Sequence, residues 1–418
     1  MNKLTYGITV FIISGAILLS SCSMNLGPET LPSIKPTTTT TETETSATTQ
    51  TIKPEATDPF STAVVTESVV EKNGFLMVKD SKLLNIRGQE VMLKGMSSFG
   101  IQDCGDFFTF DAIKTLAQDW GCDVVRIVIN GDANTGYMKE PDKYFDPICK
   151  ICDLCIKQGI YVIVDWNVGY EKDSSENKKA AVDFFNRISV IYAEDPNVIY
   201  EINNDPIAVD EEHPIKDEWA KAIAPFASEV ITAIRKNSPK SLVVVGTPNF
   251  GLDVETASKA KLKFDNVVYG CRFFSGSASD EQREKIKEAM GKGICVFVTE
   301  WGLCSPDCKG GVYYLESDKW IAFFDENKIS WCNYAIGSYI NNDANALALL
   351  NSQYRDEQKA SHWPAGLISK SGQYAKEKLL AGKVAETEET SASSDPSDSS
   401  ASSASSASSA SSETTKST

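Results

Sequence analysis

The chain has 418 residues, 42% of them hydrophobic, and a formal net charge of −16. With no basic stripe to neutralise phosphates, that acidity argues against a nucleic-acid partner. The length allows one barrel-sized folded region, and the composition at both ends excludes them from it.

In residues 1–22, Lys3 precedes the apolar run Ile8–Leu19, and Leu19-Ser20-Ser21-Cys22 follows. The run is too short to span a bilayer as a helix and reads as a secretory signal. Its Leu-x-x-Cys ending between small residues resembles a bacterial lipobox. That implies cleavage before Cys22, lipid on the Cys22 thiol and a membrane-anchored lipoprotein on the bacterial cell surface. The competing reading is an ordinary signal peptide that contains a cysteine. Residues 23–69 are rich in Thr, Ser and Pro, and residues 383–418 are Ser/Ala-rich with scattered acids. Neither stretch has the apolar content to offset ordering entropy, so both read as disordered linkers. The folded region is expected over residues 70–382.

In chain order, Phe75–Ile86 reads as a hairpin. Eight short apolar runs come next: Val91–Gly95, Val124–Ile129, Tyr161–Asp165, Val198–Ile202, Leu242–Gly246, Val267–Cys271, Cys295–Thr299 and Trp331–Ala335. Between them lie stretches of helical period, clearest at Lys178–Tyr192 and Lys216–Lys236. Regular β–α alternation predicts a parallel sheet, and eight units are the number that close a (β/α)8 TIM barrel. The hairpin is then placed to plug the barrel's bottom. A doubly wound open sheet is the alternative, but no glycine-rich phosphate loop supports it.

Besides Cys22, ten of the 11 cysteines remain. Cys149, Cys152 and Cys155 recur every third residue within Asp146–Gly159, a spacing that puts them on one broad helix face as small buried hydrophobes. A metal site is the weaker reading, because no histidine lies at ligand spacing. Cys304 and Cys308 are placed to close a small loop disulfide in an oxidising compartment, or to remain thiols in a reducing one. No pattern calls for a metal or an organic cofactor, and a monomer is expected.

Two acids stand at the ends of predicted strands. Asp205 closes Asn197-Val-Ile-Tyr-Glu-Ile-Asn-Asn204-Asp205-Pro206, and Glu300 closes Ile294-Cys-Val-Phe-Val-Thr299-Glu300-Trp301-Gly302. In a closed parallel barrel, active sites lie at the C-terminal ends of the strands. Arg126, Asn167, Asn204, Arg272 and Tyr334 also fall within or just after such ends. Two carboxylates across one cleft are the minimum equipment for cleaving a glycosidic bond.

These segments, with Asn73-Gly-Phe-Leu-Met-Val-Lys, Val91-Met-Leu-Lys-Gly-Met-Ser-Ser, Trp120-Gly-Cys-Asp-Val-Val-Arg126, Gly159-Ile-Tyr-Val-Ile-Val-Asp165-Trp166 and Ile329-Ser-Trp-Cys-Asn333, resemble the cellulase-type enzymes of glycoside hydrolase family 5. The resemblance is closest to the endo-β-1,4-glucanase branch. It implies a retaining mechanism on β-glucan-type polysaccharide, with Glu300 as nucleophile and Asp205 at the acid/base position. It also implies that Arg126 aims the nucleophile and that Asn204 binds the sugar 2-hydroxyl.

Several positions depart from the family pattern. Asp205 stands for Glu, Asn167 for the His after Asp-Trp, and Tyr334 for a Trp that floors the cleavage point. Arg272-Phe273-Phe274 stands for His-x-Tyr, so that Phe274 lacks the hydroxyl that bonds the nucleophile. Phe99 replaces a His, and Asp103 falls where an aromatic platform is usual. Tyr keeps a stacking face and Asn keeps hydrogen-bonding capacity, whereas Arg272 adds a fixed positive charge to the cleft. Three readings therefore stand: a hydrolase with weak or altered activity, an inactive pseudoenzyme that binds polysaccharide or a protein partner through the same cleft, and a structural surface protein whose cleft is a relic.

Overall fold

The computed structural model describes residues 67–167, 175–204, 217–306, 311–338, 350 and 363–383. Cys22, Asp205, Cys308 and most of both terminal stretches lie outside the described residues. The chain divides into Met1–Glu67 and Ser68–Thr418, and the barrel belongs to the second unit.

A short antiparallel hairpin, β1 (Met77–Lys79) and β2 (Lys82–Leu84), precedes the barrel. The barrel strands are β3 (Lys94–Gly100), β4 (Val124–Asn130), β5 (Tyr161–Asn167), β6 (Val198–Glu201), β7 (Val243–Gly246), β8 (Val267–Phe274), β9 (Val296–Gly302) and β10 (Ser330–Ile336). They close in the order β10-β3-β4-β5-β6-β7-β8-β9, with every pairing parallel. The (β/α)8 expectation is correct, and all eight predicted runs are barrel strands or overlap them.

Strand alternation sorts the side chains into two cores. Outward-facing Val125, Ile127, Val162, Val164, Tyr200, Val243, Val245, Tyr269, Val296 and Val298 pack beneath the helices. Inward-facing Val124, Ile163, Ile199, Val244, Val268, Phe297 and Cys332 form a separate apolar layer within the cylinder. Val70, Leu76, Leu83 and Leu93 join that inner layer, so the hairpin region does plug the bottom. The Tyr161 hydroxyl donates to the Gly74 carbonyl at 2.7 Å, tying plug to strand.

One turn further up each strand, the inward positions change character. Arg126, Asp165, Glu201, Gly246, Gly270 and Thr299 are the next inward residues, so an apolar floor carries a polar layer.

Two expected elements differ in extent. The first barrel strand runs to Gly100 rather than ending at Gly95. Its upper half is Ser97 and Ser98, small polar residues that serve the polar layer and leave no hydrophobic signature. The helix expected over Lys216–Lys236 is a π-helical turn, Trp219–Ile223, leading into an α-helix at Ala224–Asn237. The indole N–H of Trp219 donates to the Ala260 carbonyl at 2.7 Å, which holds that wider turn against its neighbour. The other expected helix appears as Ser175–Ile191.

The cysteine run lies on the helix Pro141–Lys157 as its spacing predicts, with Cys152 and Cys155 buried and Cys149 half-buried. Burial pushes both buried thiols up, away from the thiolate form a metal would take. No helix among the described residues is long and apolar enough to cross a membrane.

Candidate active site

Glu300 sits on β9 where strand alternation is broken. The pairings Cys271↔Val298 and Arg272↔Glu300 leave one extra residue in β9 relative to β8. On the other edge, Trp331↔Val298 and Asn333↔Trp301 show the same extra residue relative to β10. A bulge of this kind lets two successive side chains face the same side. Thr299 and Glu300 both point inward as a result. The Thr299 hydroxyl lies 2.7 Å from Glu201 Oε1, and Glu300 meets Arg126. Trp301 turns outward into the helix layer, 5.6 Å from the Phe324 ring and 5.9 Å from Trp331. Asn333 Nδ2 donates to the Trp301 carbonyl at 3.1 Å and secures the strand just beyond Glu300.

Arg126 is the hub. Its side chain is fully buried on β4, and its guanidinium meets three carboxylates. Nε donates to Glu201 Oε2 at 2.6 Å, Nη2 lies 2.8 Å from Asp165 Oδ2, and Nη1 donates to Glu300 Oε2 at 3.1 Å. Nη1 also donates to Ser97 Oγ at 2.8 Å. A planar fork with five donors suits this task as an ammonium does not. Burial alone would lower the pKa of the guanidinium, but the three surrounding carboxylates outweigh it and raise it.

One cation among three buried acids leaves excess negative charge. It falls hardest on Glu201, whose carboxyl is raised above its ordinary value of 4.5, first by burial and then, against the opposing pull of Arg126, by the Glu300 charge. The folded protein therefore holds this proton more tightly than the unfolded chain does. Its stabilising contribution is fully present below the ordinary carboxylate range and is lost as pH rises through the raised value. Melting temperature followed against pH in the wild type and in Glu201→Gln checks this. The difference between the two curves should turn against the wild type as pH climbs from 4.5, and parallel curves would count against it.

Asn204 follows β6, and its Nδ2 donates to Glu300 Oε2 at 3.2 Å. Glycine makes room for that approach. A Cβ on Gly246 would lie 1.7 Å from the Asn203 carbonyl oxygen. Gly246→Ala is expected to push the Asn203–Asn204 backbone off β7 and to destabilise by about 1–3 kcal/mol, as overpacking does. A chemical denaturation midpoint within error of wild type would contradict this.

Arg272 approaches the other oxygen of Glu300, with Nε 3.4 Å from Oε1. Above it stands an apolar wall in which Cys304 packs with Phe99, Phe274, Val312 and Tyr334. The Phe99 and Tyr334 rings meet edge to face at 4.9 Å. Tyr334 thus places an aromatic ring near the C-terminal end of β10. Asn167 ends β5, and its carbonyl accepts from the Gly131 N–H at 2.6 Å.

The structure brings Arg126, Asn204, Arg272 and Glu300 into one cluster, while Asp205 lies outside the described residues. Sequence reasoning assigned no role to Asp165, Glu201, Ser97 or Thr299. A signal was present: Asp165 and Glu201 are acids within inward-facing β-branched strands, where a charge persists only when paired. Among the described residues there is no His/Cys/Asp/Glu cluster able to hold a metal ion. A cavity of about 650 Å³ lies elsewhere, between the Ala133–Pro141 segment and the Ser175–Ile191 helix, and no residue of the Glu300 cluster lines it.

Comparison with known proteins bears on the family and the fold. The family model described as cellulase (glycosyl hydrolase family 5) matches residues 84–340. Endoglucanase A of Evansella cellulosilytica is 35% identical over 319 residues, covering 76% of this chain and 62% of that protein. An endoglucanase of Clostridium saccharobutylicum is 36% identical over 263 residues, covering 63% of this chain and 57% of that protein. The chain thus spans less than two thirds of the length of either relative. Among solved structures, the catalytic domain of a Thermobifida fusca endoglucanase in complex with cellotetraose superposes with a TM-score of 0.68 at 28% identity. That match covers 75% of this chain and 100% of that domain. By sequence and by fold, the chain belongs to the cellulase family, glycoside hydrolase family 5.

Proposed function

We propose that the protein is a retaining glycoside hydrolase acting on β-glucan-type polysaccharide, with Glu300 as nucleophile and Asp205 as acid/base. The observation that carries this reading is the convergence of Arg126 and Asn204 on Glu300 Oε2, at 3.1 and 3.2 Å. Two donors on one oxygen orient the carboxylate and leave the second oxygen for attack on an anomeric carbon. Asn204 also stands where an amide can meet the sugar 2-hydroxyl, a contact that strengthens in the transition state. Phe274 and Tyr334 supply apolar faces for the ring, and Asn167 supplies polar contact at the rim. The named relatives are endoglucanases, which makes a β-linked glucan the first substrate to offer.

Release of reducing ends from soluble β-glucan tests the reading. Turnover by the wild type that disappears in Glu300→Gln supports it, and turnover that survives the substitution contradicts it. The second reading, a pseudoenzyme that only binds glycan or a partner, is favoured by one observation, the Arg272 guanidinium against Glu300 Oε1. Retarded migration in glucan gels without turnover is its signature.

The same proposal places the barrel on the outer face of a bacterial membrane, tethered through lipid on Cys22. Metabolic labelling with palmitate should mark the wild type and not Cys22→Ala, which should appear in the medium. Equal labelling of the two would remove the anchor.

A further inference from the structure

We infer that Arg272 is a built-in counter-ion occupying the attacking oxygen of Glu300, and that its withdrawal sets the rate at which this carboxylate reacts. The inference rests on the reading of Glu300 as nucleophile. The two oxygens of Glu300 are not equivalent. Oε2 is held from inside the barrel by Arg126 and Asn204. Oε1 is therefore the oxygen left to form a bond, and Arg272 Nε lies 3.4 Å from it.

Two backbone features aim Arg272 at that oxygen. The first is the bulge: in unbroken register Arg272 would face Thr299, and the extra residue in β9 brings Glu300 opposite it instead. The second is the turn after β7, where Asn249, Phe250 and Gly251 have φ of 55°, 56° and 79° in succession. Left-handed backbone at non-glycine residues is unfavourable and persists where its surroundings hold it. Here the Gly251 N–H donates to the Thr247 carbonyl at 2.9 Å, and the turn packs closely against Arg272 at Gly251. A Cβ on Gly251 would sit 2.7 Å from Arg272 Cγ and 3.1 Å from its backbone nitrogen. The arginine stem is thus backed by the turn and faces Glu300.

The consequence depends on when the charge is present. A cation beside Oε1 stabilises the carboxylate before reaction, and that stabilisation fades as the oxygen's electron pair enters the new bond. An interaction stronger in the ground state than in the transition state slows the step. Arg126 acts on the oxygen that stays behind, and Arg272 on the one that attacks.

The test isolates this step from proton donation. A 2,4-dinitrophenyl 2-deoxy-2-fluoro-β-cellobioside is reacted with the full-length protein. The Glu300 Oε1 lone pair forms a bond to the anomeric carbon, and the bond to the aryl oxygen breaks. The leaving group departs with both electrons as dinitrophenolate, so no acid is required and Asp205 plays no part. The readouts are the rate of dinitrophenolate release, one equivalent per protein, and the mass added to the peptide bearing Glu300. Arg272→Gln is expected to label about tenfold faster than wild type or more, equivalent to about 1.4 kcal/mol or more. Arg272→Lys, which keeps the charge, should stay near the wild-type rate. Arg272→His assayed at pH 8 carries the same expectation as the glutamine variant should that variant not fold. Labelling of the uncharged variants at or below the wild-type rate overturns the inference and leaves Glu300 as nucleophile. No adduct in any of these proteins overturns both.

Discussion

Replacing Arg126 with methionine is expected to destabilise the barrel by about 3–5 kcal/mol, the penalty typical of stranding buried charge. The side chain is fully buried and is the shared partner of Asp165, Glu201 and Glu300. Methionine fills much of the same volume, so little of the loss would come from packing. The loss would come from three acids left in a low-dielectric layer without their cation, which must take up protons or admit water. Arg126→Lys should recover only part of it, because an ammonium cannot reach three carboxylates and Ser97 Oγ from one position. Denaturant unfolding with an unchanged m-value checks both variants. A loss below about 1 kcal/mol for methionine, the range of an ordinary substitution, would show that the network is not what holds the upper barrel.

The second large effect is a gain. Asp205→Glu should raise turnover on unactivated β-glucan about a hundredfold, the scale attached to a misplacement near 1 Å. Aspartate is one methylene shorter than the glutamate that the family resemblance implies there, and on the proposed acid/base role that methylene is the reach to the leaving oxygen. The gain should depend on the leaving group. A glucan hydroxyl needs a proton to depart, whereas dinitrophenolate does not, so Asp205→Glu should leave the first step on a dinitrophenyl cellobioside unchanged. Equal acceleration of both substrates would assign the effect to binding rather than to proton donation. No gain on either would remove Asp205 from the acid/base position.

The barrel was legible because its signal is local. Eight apolar runs separated by helical periods give the order of strands and helices, and the hairpin before them reads as a plug. The upper half of β3 was not legible, because Ser97 accepts from Arg126 and Ser98 from the Val128 N–H, and neither carries a hydrophobic period. The π-helical turn at Trp219 was hidden for a related reason. Its cause is a tertiary hydrogen bond to Ala260, 41 residues away.

At the site, motif and strand ends together pointed to Arg126, Asn204, Arg272 and Glu300, which do meet. What one dimension could not carry was the register. Thr299 and Glu300 are neighbours that simple alternation sends to opposite faces, and only the extra residue in β9 puts both inside. The same bulge turns the fixed positive charge foreseen at Arg272 into a contact with one particular oxygen of Glu300. Glu201 went unassigned because the acid nearest the family's signature was Asp205, four residues on, which drew the role.

On the proposed retaining mechanism, Glu300 attacks an anomeric carbon and is later displaced by water, two inversions that restore the starting configuration. Proton NMR of the anomeric signals during hydrolysis of a soluble β-glucan oligosaccharide tests this most directly. The β-anomer should accumulate first and then mutarotate, with no product from Glu300→Gln. Initial accumulation of the α-anomer would mean that a water attacks in place of Glu300, with the two carboxylates spaced wider than retention allows. That result would rule out Glu300 as the nucleophile.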